Sequence, residues 1–223
     1  MREKVLEKIK RYRLIAIVRN VQAEDLLPLI DALYQGGIRL VEIPFDASAK
    51  AEGIRRTAEG IRAIRERFGG DFSIGAGTVL SCEQADAAKD AGAEFLISPN
   101  TEETVIRYTR QCGLVSIPGA MTPTEVVRAW EYGADIVKLF PVDSLGAAYI
   151  RALRAPLNHI PMLAVGGVDE SNVAELLAAG LCGAGVGGNL VSNTAIAARQ
   201  FDVIRCTAEL YVQKINGILN KEV

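Results

Sequence analysis

The sequence predicts an α/β protein, a single-domain (β/α)8 TIM barrel with an N-terminal helix. Three observations carry this prediction. Eight short apolar runs alternate with longer amphipathic ones. The runs end on polar residues or glycines, where the strands of a barrel present their functional groups. The chain has 223 residues, a normal length for one compact barrel. The same alternation also suits a doubly wound open sheet, which is the alternative architecture.

The opening segment MREKVLEKIKRYR (1–13) alternates charges with Val5, Leu6 and Ile9, so it is expected to be an amphipathic helix packed on the body. It lacks the apolar centre of a signal peptide. The apolar runs follow in order: LIAIVR (14–19), RLVEIPF (39–45), FSIGAGT (72–78), EFLISP (94–99), LVSIPG (114–119), DIVKLFP (135–141), MLAVGG (162–167) and GAGVGG (183–188). Helix-like segments between them include AEDLLPLIDALYQGG (23–37), CEQADAAKDAG (82–92) and DESNVAELLAAG (169–180), which stop on glycine. Thr122 in MTPTEV and Asp169 in VDESNV are placed as helix N-caps. No Pro/Gly/Ser linker or charge block divides the chain, so residues 1–223 are expected to form one barrel domain.

Composition narrows the function. Hydrophobic residues make up 49%, enough for a large core. The net charge is −2 and the 25 Lys and Arg are dispersed, which argues against nucleic-acid binding. No stretch of 18 apolar residues exists, so no membrane span is expected. Cys82, Cys112, Cys182 and Cys206 are scattered and form no CxxC pair, which fits reduced thiols in a cytoplasmic protein. With one histidine, His159, neither a zinc site nor a histidine-based triad is expected.

Lys138 is the sharpest chemical signal. Strand alternation puts Ile136, Lys138 and Phe140 on one face and Val137 and Leu139 on the other. The second set suits packing against helices, so Lys138 should point into the barrel. Burial disfavours the ammonium, and a partly neutral lysine is a nucleophile for a keto group. A structural lysine paired with a carboxylate is the other reading. Glu42 is the natural partner: Val41, Ile43 and Phe45 form the helix-facing set, leaving Glu42 and Pro44 inward. A buried carboxyl beside a lysine can exchange protons near neutral pH, or simply serve as an ion pair that holds the barrel.

The glycine pairs Gly166-Gly167 and Gly187-Gly188, with Asn189, follow the seventh and eighth strands, where barrels usually hold phosphate. Glycine lets backbone N–H groups approach an anion; ordinary turns are the alternative. Thr78 is placed to hold a substrate carboxylate or to cap a helix. Arg19 can bind an anion bidentately or form a surface ion pair. Alternation puts Asp46 on the face of Glu42, which leads to the expectation that Arg19 pairs with Asp46. Pro99, Phe140 and Val165 stand where a substrate pocket would be lined.

GGIRLVEIPF, GAGTVL, FLISPN, SIPGAMTPTE, VKLFP and AVGG…VGGN together resemble the 2-keto-3-deoxy-6-phosphogluconate/4-hydroxy-2-oxoglutarate aldolase family, from about residue 14 to the last helix. The resemblance implies a cofactor-free, metal-free, Schiff-base aldolase, typically a homotrimer, acting on a small keto acid. It puts the Schiff-base lysine at Lys138, the acid/base glutamate at Glu42 and the carboxylate-binding threonine at Thr78. It puts phosphate-binding loops at Gly166, Gly167, Gly188 and Asn189. The gluconate-type members carry arginine where Asp46 stands and serine where Asn189 stands; IAIVR, VEIP and AVGG look more like the 6-phosphogalactonate branch. The competing expectations are a phosphosugar isomerase or epimerase and a non-catalytic sugar-phosphate binding barrel.

Overall fold

A computed structural model describes residues 2–46, 48 and 50–219. Met1 of the expected N-terminal helix and residues 220–223 of the expected domain lie outside the described residues.

The strands are β1 (Leu14–Ile17), β2 (Leu40–Pro44), β3 (Ser73–Gly77), β4 (Phe95–Ile97), β5 (Val115–Ile117), β6 (Gly119–Ala120), β7 (Val137–Leu139), β8 (Met162–Val165) and β9 (Gly183–Val186). All pair in parallel, in the order β5-β4-β3-β2-β1-β9-β8-β7-β6. The expected fifth strand is therefore two segments. Pro118 has no N–H to donate and breaks the ladder between them. The barrel still closes there: Ser98 N donates to Ile117 O at 3.3 Å on one side, and Lys138 N donates to Pro118 O at 2.8 Å on the other. This is the eight-position barrel that the alternation predicts, not an open sheet.

Helices connect the strands: α1 (Arg2–Tyr12), α2 (Ala23–Gln35), α3 (Lys50–Phe68), α4 (Cys82–Asp90), α5 (Glu103–Gln111), α6 (Pro123–Glu131), α7 (Gly146–Arg154), α8 (Val173–Ala178), α9 (Asn193–Ala197) and α10 (Phe201–Leu219). Thr122 caps α6 as expected, and its side chain and that of Glu125 satisfy each other's backbone N–H groups. Asp169 does not cap α8. It accepts from the amides of Ser171 and Asn172 in a turn, and the helix starts after Asn172. A local side-chain turn competes with the cap position, as aspartate allows.

Two apolar layers follow from strand alternation. Val41, Ile43, Phe45, Val137 and Leu139 face the helices. Ile15, Leu40, Phe95, Ile97, Val115, Ile117, Ile136, Leu163 and Val165 fill the barrel interior. Helix α1 contributes Val5 and Ile9 to that interior and packs on β2, β5 and β9, so it plugs the N-terminal end of the barrel. Each of these two side chains is fully buried, worth about 1.5–3 kcal/mol apiece.

A buried carboxylate pins the plug. Asp135, just before β7, accepts from Arg2 of α1, from Arg110 Nη1 of α5 at 2.7 Å and from the Ser116 backbone N–H at 2.9 Å. Its side chain is 3% exposed, whereas those of Arg2 and Arg110 are 34% and 32% exposed. Asp135→Ala strands two guanidiniums and one amide. The expected loss is about 3 kcal/mol, or a melting midpoint lower by roughly 6–12 °C. Arg2→Ala, which removes a partly solvated partner and leaves Asp135 bonded to Arg110 and the Ser116 amide, should cost clearly less. Equal losses from both substitutions in thermal unfolding would contradict this hierarchy.

Candidate active site

The C-terminal end of the barrel holds a cavity of about 280 Å³. Its lining includes every candidate residue from the sequence: Lys138 and Glu42; Arg19 and Thr78; Pro99, Phe140 and Val165; and Gly166, Gly167, Gly187, Gly188 and Asn189. Seven separate strands or strand ends supply them, which is why no short motif contains the site.

Glu42 sits mid-strand on β2 at 2% exposure, and Lys138 mid-strand on β7 at 7%. Burial pushes the Glu42 carboxyl up from its ordinary value, against the opposing pull of the Lys138 and Arg19 charges. Burial likewise pushes the Lys138 ammonium down; the Glu42 charge opposes this and the like charge of Arg19 adds to it. Glu42 Oε2 is buried without a hydrogen-bond partner. The Lys138 ammonium lies 4.5 Å from the centroid of the Phe140 ring, a face that favours its charged form. Phe140 is 37% exposed at the mouth, and its peptide bond to Pro141 is cis.

Thr78 follows β3 at φ 56°, a left-handed conformation that a β-branched residue rarely adopts. Arg19 Nη2 donates to the Thr78 hydroxyl at 3.4 Å. The expected Arg19–Asp46 pair does not form. Strand β2 ends at Pro44, so alternation no longer governs Asp46, which turns outward. Its carboxylate accepts from the Ser48 amide at 2.9 Å and the Ser48 hydroxyl at 2.6 Å, and Arg56 lies 3.8 Å away. The Ser48 contacts hold Asp46 below the usual carboxylate range.

Gly166 and Gly167 turn at φ 87° and 73°. A Cβ on Gly167 would fall 2.3 Å from that of Asp143. Gly188 differs: its φ is ordinary and open space surrounds it. Asn189 Nδ2 donates to Val168 O at 2.9 Å, so the side chain ties the two glycine loops together. The sequence reading missed Ile17, Val168 and Gly185 as lining residues. Ile17 was legible from its shared face with Arg19, and Gly185 from its place two residues before Gly187. A larger cavity, about 700 Å³, lies between α2 and α3 and shares Arg19 and Thr78 with the first. Its charged lining residues are all exposed. Among the described residues, no group of three or more His, Cys, Asp or Glu is placed to hold a metal ion. None of the helices there is long and apolar enough to cross a membrane. All four cysteines are free.

The sequence model of the family described as "Aldolase: KDPG and KHG aldolase" matches residues 5–207. The chain is 36% identical to a 2-dehydro-3-deoxy-phosphogluconate aldolase of Treponema pallidum, over 96% of this chain and 99% of that one. It is 38% identical to a 2-dehydro-3-deoxy-6-phosphogalactonate aldolase of Escherichia coli, over 79% of this chain and 83% of that one. A solved structure described as "Native KDPGal structure" superposes with a TM-score of 0.82 at 33% identity, covering 93% of this chain and 96% of that one. With a buried lysine and glutamate facing one cavity in a closed barrel, the chain belongs to the KDPG and KHG aldolase family.

Proposed function

We propose that the protein is a Schiff-base aldolase that cleaves a 2-keto-3-deoxy-6-phospho sugar acid to pyruvate and glyceraldehyde 3-phosphate. It also accepts 4-hydroxy-2-oxoglutarate, yielding pyruvate and glyoxylate. It works in the cytoplasm as a homotrimer, without nucleic-acid or membrane partners and without metal or cofactor. The single observation that carries the reading is the burial of Lys138 and Glu42 in one cavity, with their pKa values pushed toward each other.

The Lys138 amine adds to the C2 carbonyl, and the resulting carbinolamine loses water to give an iminium. Glu42 gives the proton that lets this water leave, and afterwards takes the proton of the C4 hydroxyl. The C4–O bond becomes a carbonyl, the C3–C4 bond breaks, and its electron pair moves into the iminium to form an enamine. The aldehyde departs. Protonation at C3 and addition of water release pyruvate and the free lysine. The unpartnered Glu42 Oε2 supports this role, since it is an acceptor with nothing yet to accept from. Arg19 and Thr78 are assigned to the substrate carboxylate, and Pro99, Phe140 and Val165 to the pocket wall. The glycine loops and Asn189 are assigned to the phosphate, through backbone N–H groups. An isomerase would need Glu42 but no buried lysine, and a sensor barrel would need neither group perturbed.

Incubation with pyruvate and borohydride should add a reduced pyruvate to Lys138, read as a peptide mass. Lys138→Met should fold and show no turnover, because a thioether suits its apolar surroundings. An adduct on another lysine would reject the assignment.

Gly188→Asp introduces a negative charge without strain or clash. It should raise KM for phosphorylated substrates by about tenfold or more and affect 4-hydroxy-2-oxoglutarate much less. Equal losses on both would remove the phosphate from these loops.

The Glu42 carboxyl is raised in the folded state from a reference of 4.5. Its contribution to stability is therefore complete below that reference and is lost as pH rises through the folded value. Glu42→Gln cannot ionise and escapes this loss. Urea midpoints should show the variant gaining on the parent protein as pH rises from about 5 to 8, while its kcat falls about 100-fold or more. A stability difference independent of pH would mean that Glu42 does not titrate as a buried acid.

A further inference from the structure

Glu42 lies level with Gly75 in the β2–β3 register, and Pro44 lies level with Gly77. Neither glycine has a positive φ, so neither is required for its backbone conformation. Space is the reason for both. A Cβ on Gly75 would fall 2.1 Å from Cε2 of Phe95, which sits level with it on β4. A Cβ on Gly77 would fall 1.4 Å from Oε1 of Glu42 and 2.3 Å from its Cδ. Both distances are far inside contact.

These two exclusions explain the path of the Glu42 side chain. At the level of its own Cα, the neighbouring slot over β3 is taken by the fully buried Phe95 ring. Two residues further toward the barrel mouth, the side chain missing at Gly77 leaves a slot against bare backbone, and the carboxyl group occupies it. At the level of its own Cα or lower, the carboxyl would enter the apolar layer of Leu40, Phe95 and Val115. In the Gly77 slot it faces the cavity that Lys138 also lines. Backbone movement cannot easily make room for a larger residue. Strand β3 is hydrogen-bonded along β2 and β4, and Phe45 N donates to Gly77 O at 2.8 Å.

We propose that Gly77 is a positioning residue for the reaction: its missing side chain is the seat of the Glu42 carboxyl group. The proposal rests on the acid/base reading of Glu42. The second glycine of the GAGT segment is then fixed by the side chain of the neighbouring strand, whereas Thr78 beside it faces the substrate.

The test compares Gly77→Ala, Glu42→Ala and the double variant by melting midpoint, by borohydride trapping of pyruvate on Lys138, and by kcat and KM for pyruvate release. Gly77→Ala should still trap pyruvate on Lys138, which keeps its place, but more slowly, because Glu42 also protonates the water leaving the carbinolamine. Its kcat should fall about 100-fold or more, as in Glu42→Ala, with a much smaller change in KM. The double variant should be no slower than Glu42→Ala, and its midpoint should exceed that of Gly77→Ala, since the new methyl then has the vacated space. Should Gly77→Ala not fold, recovery of a folded double variant carries the same conclusion, and failure of both overturns it. Gly77→Ala with the parent kcat beside a slow Glu42→Ala overturns this proposal alone. So does a double variant whose losses multiply. Glu42→Ala with the parent kcat overturns the acid/base reading together with it.

Discussion

Two ionisable side chains stripped of water, Glu42 on one side of the barrel and Lys138 on the other, set the terms for the rest of this structure. Burial acts on each against its charged form, while each charge favours the other. That balance depends on keeping most solvent away from both groups. The barrel does this through an apolar layer beneath the pair and through α1, which fills the opposite end with Val5 and Ile9. Asp135 bonds this helix to the body by a second, separate set of charges that stays partly solvated. The fold thus keeps two kinds of ionic contact apart. One holds the plug in place, and the other is left incompletely satisfied at the mouth.

Rigidity is distributed accordingly. The pair assigned to the chemistry is carried on strands hydrogen-bonded on both sides, where a side chain is held by its neighbours on three strands. The residues assigned to substrate groups stand on the loops, where backbone can face a ligand. Gly166 and Gly167 adopt turns closed to most side chains, and Asn189 crosslinks the β8 and β9 loops by one amide hydrogen bond. Thr78 holds a left-handed backbone that offers its hydroxyl to Arg19, a strain typically costing about 1–3 kcal/mol. Such strain persists where surrounding structure overdetermines it, here between β3 and the start of α4.

The outward turn of Asp46 changes the electrostatics of the mouth. Rather than neutralising Arg19, its carboxylate is occupied by Ser48 and lies near Arg56 on the outer surface. Arg19 keeps its guanidinium for the cavity, with Thr78 as its protein contact there. A reversal of charge in the sequence, four residues after Glu42, therefore does not become a reversal of charge in the pocket. The chain leaves the sheet before that residue is reached.

Much of this was legible in the sequence because strand periodicity is local. Alternation in IVKLF and LVEIPF is enough to send Lys138 and Glu42 inward and Val137, Leu139, Val41 and Ile43 outward, and each side chain does so. The order of apolar runs likewise contains the barrel, and the strand ends contain the lining residues. What the sequence could not determine lies wherever one strand meets another or a strand stops. Pro118 splits the fifth strand, yet closure depends on Ser98 and Lys138, far away in the chain. Asp46 was misplaced because alternation was carried past the end of β2. The reason for Gly77 is a carboxyl group from residue 42, and the reason for Gly75 is the ring of residue 95. Period-two geometry fixes which face a residue takes. Only the register between strands decides whose atoms it meets there.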